Sequence, residues 1–315
     1  ALENGFSPCD KITDKAVTIN YTENGEKKQW SPKNSDWNFT GYDMTLRWGM
    51  ARSVNSVTAQ LTEKIGWDNV VKYAHQLGIT SPLQSVPSIC LGVSDVSLYE
   101  MVGAYGSFLN KGNRNEPFLV QRIDDQDGKT LAVFEPKSIR VISEENAWLM
   151  LYMLRGGMDE PGGTSQALWE WDLFKNNNQI GGKTGTSSDY VDGWYMGVTK
   201  DLITGVWVGA DDRSIHFKTS ETGEGSKTAL PIFAKFMEKV YKDKSTGYKE
   251  GRFPKPTIEI TRTYNCPSPE IFRDTFVTDS LLVDSLPQPL PDDGVLPETP
   301  VDIEPNIETP EANNR

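Results

Sequence analysis

Apolar side chains recur at helical spacing in several stretches of the chain. Val57, Leu61 and Ile65 stand at i, i+4 and i+8, and beyond Gly66 the set Val70, Val71, Ala74 and Leu77 continues a second helix that stops at Gly78. A third helix is expected from Ser94 or Asp95, both good capping residues, with Val96, Tyr99, Val102 and Leu109 on one face and Lys111-Gly112 at its end. Ser143 caps a fourth, with Glu144 and Glu145 in its first turn and an apolar stripe through Trp148, Leu151, Tyr152 and Met153. A glycine-rich loop follows over 156–163. The last helix spans 230–241, where Ile232, Phe233, Phe236, Met237 and Val240 are apolar.

Strand patterns fill the gaps. Phe118-Leu119-Val120 and Leu131-Ala132-Val133 flank the turn Asp127-Gly128 and predict a hairpin. Three successive strands are expected over 182–187, 193–199 and 205–209, with Asp192-Gly193 and Thr204-Gly205 as turns. Residues 1–56 are rich in turn formers and carry no clear period. Helices, then an antiparallel meander, then one more helix is the order of an α+β domain.

Composition sharpens this picture at the C-terminal end. The 315 residues carry a net charge of −12, and nine acidic residues against one basic between 275 and 315 account for −8 of it. Seven of the nineteen prolines lie in the same segment. Such a sequence cannot bury enough apolar surface to offset its ordering entropy, so a disordered acidic tail is expected over 275–315. The remainder is mildly acidic and shows no basic patch, which excludes nucleic acid as a partner. No apolar run approaches the roughly 18 residues of a membrane helix. The opening Ala1-Leu2-Glu3-Asn4-Gly5 lacks the basic and apolar regions of a signal peptide and reads as the interior of a longer chain. Cys9, Cys90 and Cys266 are widely spaced and the two histidines, His75 and His216, have no partners at ligand spacing, so neither a metal nor another cofactor is expected. One bridge is open to the three cysteines, but three buried or idle thiols is the preferred reading.

Two short motifs carry chemistry. Gly181-Gly182-Lys183-Thr184-Gly185-Thr186 opens the meander, and a strand of this kind can pair with an extended peptide, admit its backbone closely at the glycines, and hold a carboxylate with lysine and threonine. Ser53-Val54-Asn55 precedes the helix at Val57, where a serine and an asparagine would by themselves be simple capping residues.

Taken with their surroundings, these motifs make residues 1–240 resemble the class A, bifunctional penicillin-binding proteins. Pro32-Lys33-Asn34, Gly41-Tyr42, Thr45-Leu46-Arg47 and Ala51-Arg52-Ser53-Val54-Asn55 are similar to the run into that family's second motif. Ala104-Tyr105 and Asn110-Lys111-Gly112 are similar to its central helix. Lys183-Thr184-Gly185-Thr186, Asp192-Gly193-Trp194-Tyr195 and Gly205-Val206-Trp207-Val208-Gly209 are similar to its last strands.

The resemblance implies a penicillin-binding protein/serine β-lactamase-like transpeptidase fold, an antiparallel sheet flanked by helices, truncated at its N-terminal side. It implies a D,D-transpeptidase that cross-links peptidoglycan stem peptides ending in D-Ala-D-Ala through a serine acyl-enzyme and is acylated by β-lactams. Ser53 would relay a proton, Asn55 would bind the substrate's amide, Lys183 would place positive charge near the terminal carboxylate, the hydroxyls of Thr184 or Thr186, with Gly185 between them in the substrate-binding strand, would bind that carboxylate, and the Thr186 N–H would be an oxyanion-hole donor. One departure is plain: no serine in the chain is followed three residues later by lysine, so the family's nucleophile motif is absent. Upstream of Ala1 is where it is expected, along with earlier strands, a glycosyltransferase domain and a membrane anchor. The implied location is the extracytoplasmic face of the bacterial inner membrane. The expected organisation is the C-terminal part of a transpeptidase domain over 1–245, an extension over 246–274 and the tail. The alternative reading is a non-catalytic module binding wall peptide or partner proteins in the same cleft, and a soluble serine β-lactamase fits less well. Loss of a helix and two strands would expose the helices at Val57 and Leu230, so the chain alone is expected to be poorly folded.

Overall fold

The computed structural model describes residues 1–267. The acidic tail and the end of the extension lie outside the described residues. In chain order the regular elements are β1 (Lys11–Thr13), β2 (Ile19–Glu23), β3 (Glu26–Trp30), β4 (Asp43–Thr45), α1 (Leu46–Ala51), α2 (Asn55–Ile65), α3 (Trp67–Leu77), α4 (Leu98–Leu109), β5 (Asn113–Asn115), β6 (Arg122–Asp124), β7 (Thr130–Val133), β8 (Ser138–Arg140), α5 (Glu144–Asp159), β9 (Gly181–Thr186), β10 (Gly193–Val198), β11 (Ile203–Val208), α6 (Ser220–Gly223) and α7 (Ala229–Lys242).

The long amphipathic helices stand where the apolar period puts them. Ser143 caps α5 by accepting from the Asn146 N–H. Helix α4 starts later than expected, because Ser97 rather than Ser94 or Asp95 is its cap. Ser97 accepts from the Glu100 N–H while Glu100 returns a bond to the Ser97 N–H, a reciprocal box that satisfies two donors at once. The first 56 residues hold more order than their turn formers suggest: β1 pairs with β4, β2 with β3, and α1 follows directly. Strands of three to five residues carry too little periodicity to be read locally.

The principal sheet is antiparallel with strand order β11-β10-β9. One face meets α4 and α5. A Cβ on Gly205 would lie 2.7 Å from Leu98, and one on Gly181 would lie 3.1 Å from Leu154 and the Arg155 backbone. The other face meets α7, where Tyr195 packs on Phe233 with ring centroids 5.0 Å apart. Gly205 is therefore a packing glycine within β11, not the turn residue expected of Thr204-Gly205; the turn lies at Thr199 and Leu202, joined by a backbone bond of 2.9 Å. Helices on both faces of an antiparallel sheet confirm the α+β class and the flanked-sheet architecture.

Three other expectations need correction. The hairpin ladder runs through β6 and β7, with Arg122 opposite Val133, and Phe118-Leu119-Val120 precedes it as exposed chain. Asp125 folds that turn by accepting the N–H groups of Asp127 and Lys129. Val57 and Leu230 are both buried rather than uncovered. Finally, Cys9 and Cys266 form a disulfide across 257 residues, which overturns the idle-thiol reading and leaves Cys90 free. The pairing is tertiary: the C-terminal extension passes Asn178 and Gln179, runs over the start of α5 and returns to the N-terminal turn.

Candidate active site

Two segments 130 residues apart in sequence meet at the site. The first is the junction of α1 and α2. Thr45 caps α1 by accepting from Trp48, and Leu46, Trp48 and Ala51 anchor it in the interior. The chain then turns sharply: Ser53 holds φ 57°, a left-handed conformation that a residue with a Cβ adopts at a cost. Val54 occupies the N-cap of α2 without a side-chain bond, so Ser53 and Asn55 are not the capping residues their spacing suggests. The orphan N–H of Ser56 is satisfied instead by the Asn34 side chain.

The second segment is β9. It is a terminal strand of its sheet, so one edge is open for pairing. Gly181 and Gly182 let it lie close against α5 and Tyr195; a Cβ on Gly182 would come within 2.2 Å of the Tyr195 hydroxyl. Strand alternation directs Lys183 toward the face covered by α4 and α5, and Thr184 and Thr186 toward the face that carries Tyr195.

There the two segments join. Lys183 Nζ donates to Ser53 Oγ at 2.9 Å and to the Thr184 carbonyl at 2.8 Å. Ser53 is exposed and Lys183 half-buried. Desolvation by the surrounding protein lowers the ammonium's pKa to about 8, close enough to neutrality for the group to serve either as a cation or as a proton acceptor. Thr186 Oγ1 accepts from the Gly225 N–H at 3.0 Å, and the hydroxyl keeps its own proton to donate. Asn55 Nδ2 donates to the Lys33 carbonyl at 2.8 Å. Of the motif residues, Ser53 and Lys183 meet directly; Thr184, Gly185 and Thr186 follow Lys183 along β9, and Asn55 lies two residues beyond Ser53.

A buried polar network behind Asn55 was not legible in the sequence. Asp14, 1% exposed, accepts from Ser56 Oγ, Asn34 Nδ2 and both the N–H and hydroxyl of Thr40. Burial acts to raise its carboxyl, but these hydrogen bonds outweigh it and hold the pKa below the usual range. Asn34 belongs to the Pro32-Lys33-Asn34 run, whereas Asp14 is a single acid among turn residues and carried no local signal. A second network steadies α1. Buried Arg47 pairs with Asp159 at 2.7 Å and Glu160 at 2.9 Å and lies 3.9 Å from the Tyr152 ring centre. Burial raises the Glu160 carboxyl and Asp159 adds to that, while Arg47 draws it back.

A cavity of about 320 Å³ beside α4, lined by residues including Tyr99, Val102 and Pro117, contains none of the motif residues. Among the described residues no three His, Cys, Asp or Glu side chains are grouped to hold a metal, and no helix is long and apolar enough to cross a membrane.

The family model described as "Penicillin binding protein transpeptidase domain" matches residues 1–238, and the chain belongs to that family. Among its relatives, penicillin-binding protein 1A of Rickettsia conorii is 32% identical over 267 residues, covering 78% of this chain and 32% of the relative. Penicillin-binding protein 2D of Bacillus subtilis is 30% identical over 265 residues, covering 84% and 36%. The chain therefore spans about a third of the length of these relatives. Among solved structures, penicillin-binding protein 1A of Haemophilus influenzae superposes with a TM-score of 0.71 at 28% identity, over 81% of this chain and 42% of that one. The resemblance to class A penicillin-binding proteins and the transpeptidase fold both hold.

Proposed function

We propose that this chain is part of a serine-type D,D-transpeptidase whose nucleophile, in a Ser-x-x-Lys motif, lies outside these 315 residues. The observation that carries the reading is the 2.9 Å bond from Lys183 to Ser53 beside an open strand edge. A stem peptide ending in D-Ala-D-Ala adds to β9 as a further strand, its carboxylate meeting the hydroxyl of Thr184 or Thr186 near the Lys183 charge, and its amide meeting Asn55. The Thr186 N–H stands ready to stabilise the oxyanion formed when the serine attacks. Ser53, held by Lys183, passes the proton between the nucleophile's lysine and the departing or attacking amine. β-Lactams enter by the same contacts; a superposable mycobacterial relative, PonA1, has been solved in complex with penicillin V. In this reading the whole protein also carries a glycosyltransferase domain and a membrane anchor, and works at the extracytoplasmic face of the inner membrane.

The test uses the longer protein that contains this chain. Fluorescent penicillin should form a covalent adduct, and peptide mapping should place it on a Ser-x-x-Lys serine. Lys183→Ala should slow acylation by about 100-fold or more, the scale for removing one preorganised electrostatic contact. Reversible penicillin or wall-peptide binding with no adduct would instead establish the non-catalytic module.

A further inference from the structure

Cys9 sits between two carbonyls that bear on the site. Pro8 accepts the Arg47 N–H at 3.1 Å and Asp10 accepts the Leu46 N–H at 2.9 Å, so the residues flanking the disulfide satisfy the first donors of α1. That helix is six residues long and leads within two residues to Ser53. A second route reaches the same helix from Cys266. Tyr264 packs edge-on against Trp148 and Tyr152, with ring centroids 4.9 and 5.4 Å away. Tyr152 in turn holds the Arg47 guanidinium through its hydroxyl, at 3.0 Å, and its ring face. Between these anchors the extension is tied down along its length. Thr257 donates to Glu144, Thr261 and the Arg262 N–H to Glu145, and the Arg262 guanidinium to the carbonyls of Leu2 and Phe6.

We propose that the segment 257–266, closed by the Cys9–Cys266 disulfide, is a positioning strap that holds α1 and thereby sets Ser53 against Lys183. None of the strap's residues touches the motif residues; they act through Pro8, Asp10, Tyr152 and Arg47. The proposal rests on Ser53 and Lys183 being the site, and its test reads their geometry without requiring catalysis.

The full 315-residue chain is labelled with lysine ¹³Cε, and the Lys183 resonance is assigned with Lys183→Arg. In the parent the Lys183 ammonium should titrate near 8. In Cys9→Ser/Cys266→Ser, and in Tyr264→Leu with the bridge intact, the midpoint should rise by about one pH unit as the lysine loses its enclosure. Cys90→Ser should leave it unchanged. An unchanged midpoint in the strap variants, even with a lowered melting temperature, would reduce the strap to a stability staple and overturn the proposal. If the double cysteine variant does not fold, Tyr264→Leu decides by the same criterion. A parent lysine titrating near its ordinary 10.5 would overturn the site geometry itself, and the proposal with it.

Discussion

The site region and the outer hairpin of β6 and β7 are built in opposite ways. Around Ser53 each polar group is matched by a group from a distant segment: Lys183 by Ser53, Asn55 by Lys33, Ser56 by Asn34 and Asp14. The hairpin is assembled from neighbours in sequence, and its apolar side chains face outward, with Leu131 63% and Val133 64% exposed. Interlocking bonds between distant segments confer a defined geometry at the expense of independence, since Asp14, Asn34 and Ser56, left alone, would be buried polar groups without partners. A local hairpin with outward-facing side chains shares few partners with the rest of the molecule and tolerates change. Mutations should therefore be felt sharply in the first region and faintly in the second.

The largest effect is expected at Asp14. Asp14→Ala leaves Ser56, Asn34 and Thr40 without their common acceptor and should lower the unfolding free energy by about 3 kcal/mol in denaturant titration. The pH dependence has a definite sign. Because the folded carboxyl's pKa is depressed, its contribution is fully present above the unfolded value, about 4, and is lost as pH falls through the lower folded value. Asp14→Asn should flatten that part of the acid-unfolding curve; a curve as steep as the parent's would assign the acid sensitivity elsewhere.

Next is Gly182→Ala, whose methyl would meet the Tyr195 hydroxyl at 2.2 Å and Tyr195 is fully buried. Overpacking there should cost about 1–3 kcal/mol. A smaller, graded effect belongs to Lys183. As pH rises through about 8 its charge is lost, so carboxylate-bearing β-lactams should bind up to about tenfold more weakly per pH unit above that midpoint. A Lys183→Arg variant, charged throughout, should abolish this dependence. The smallest effect is expected at the hairpin: Leu131→Ser should change stability by less than about 0.5 kcal/mol while reducing self-association in light scattering. A loss comparable to that of Asp14→Ala would show that the hairpin is integral to the core.

Residues with a repeating apolar period announced themselves. Helices α2, α3, α5 and α7 and the strands of the meander follow from spacing, because burying a 3.6- or 2-residue stripe is a local requirement. The motifs were legible in a different way, as ordered short strings whose joint occurrence resembled one family. Glycines misled where tertiary approach, not turn formation, explains them, as at Gly205.

The sequence by itself determined the class of fold, the identity of the motif residues and the absence of a Ser-x-x-Lys among these residues. Only the tertiary structure decided that Lys183 meets Ser53, that Asp14 underlies Asn34 and Ser56, and that Cys9 pairs with Cys266 across 257 residues. The reason is the range of the forces involved. Backbone periodicity and hydrophobic patterning act over a few residues, whereas a hydrogen bond or a disulfide between distant segments depends on where packing brings the chain, and no local pattern records that distance.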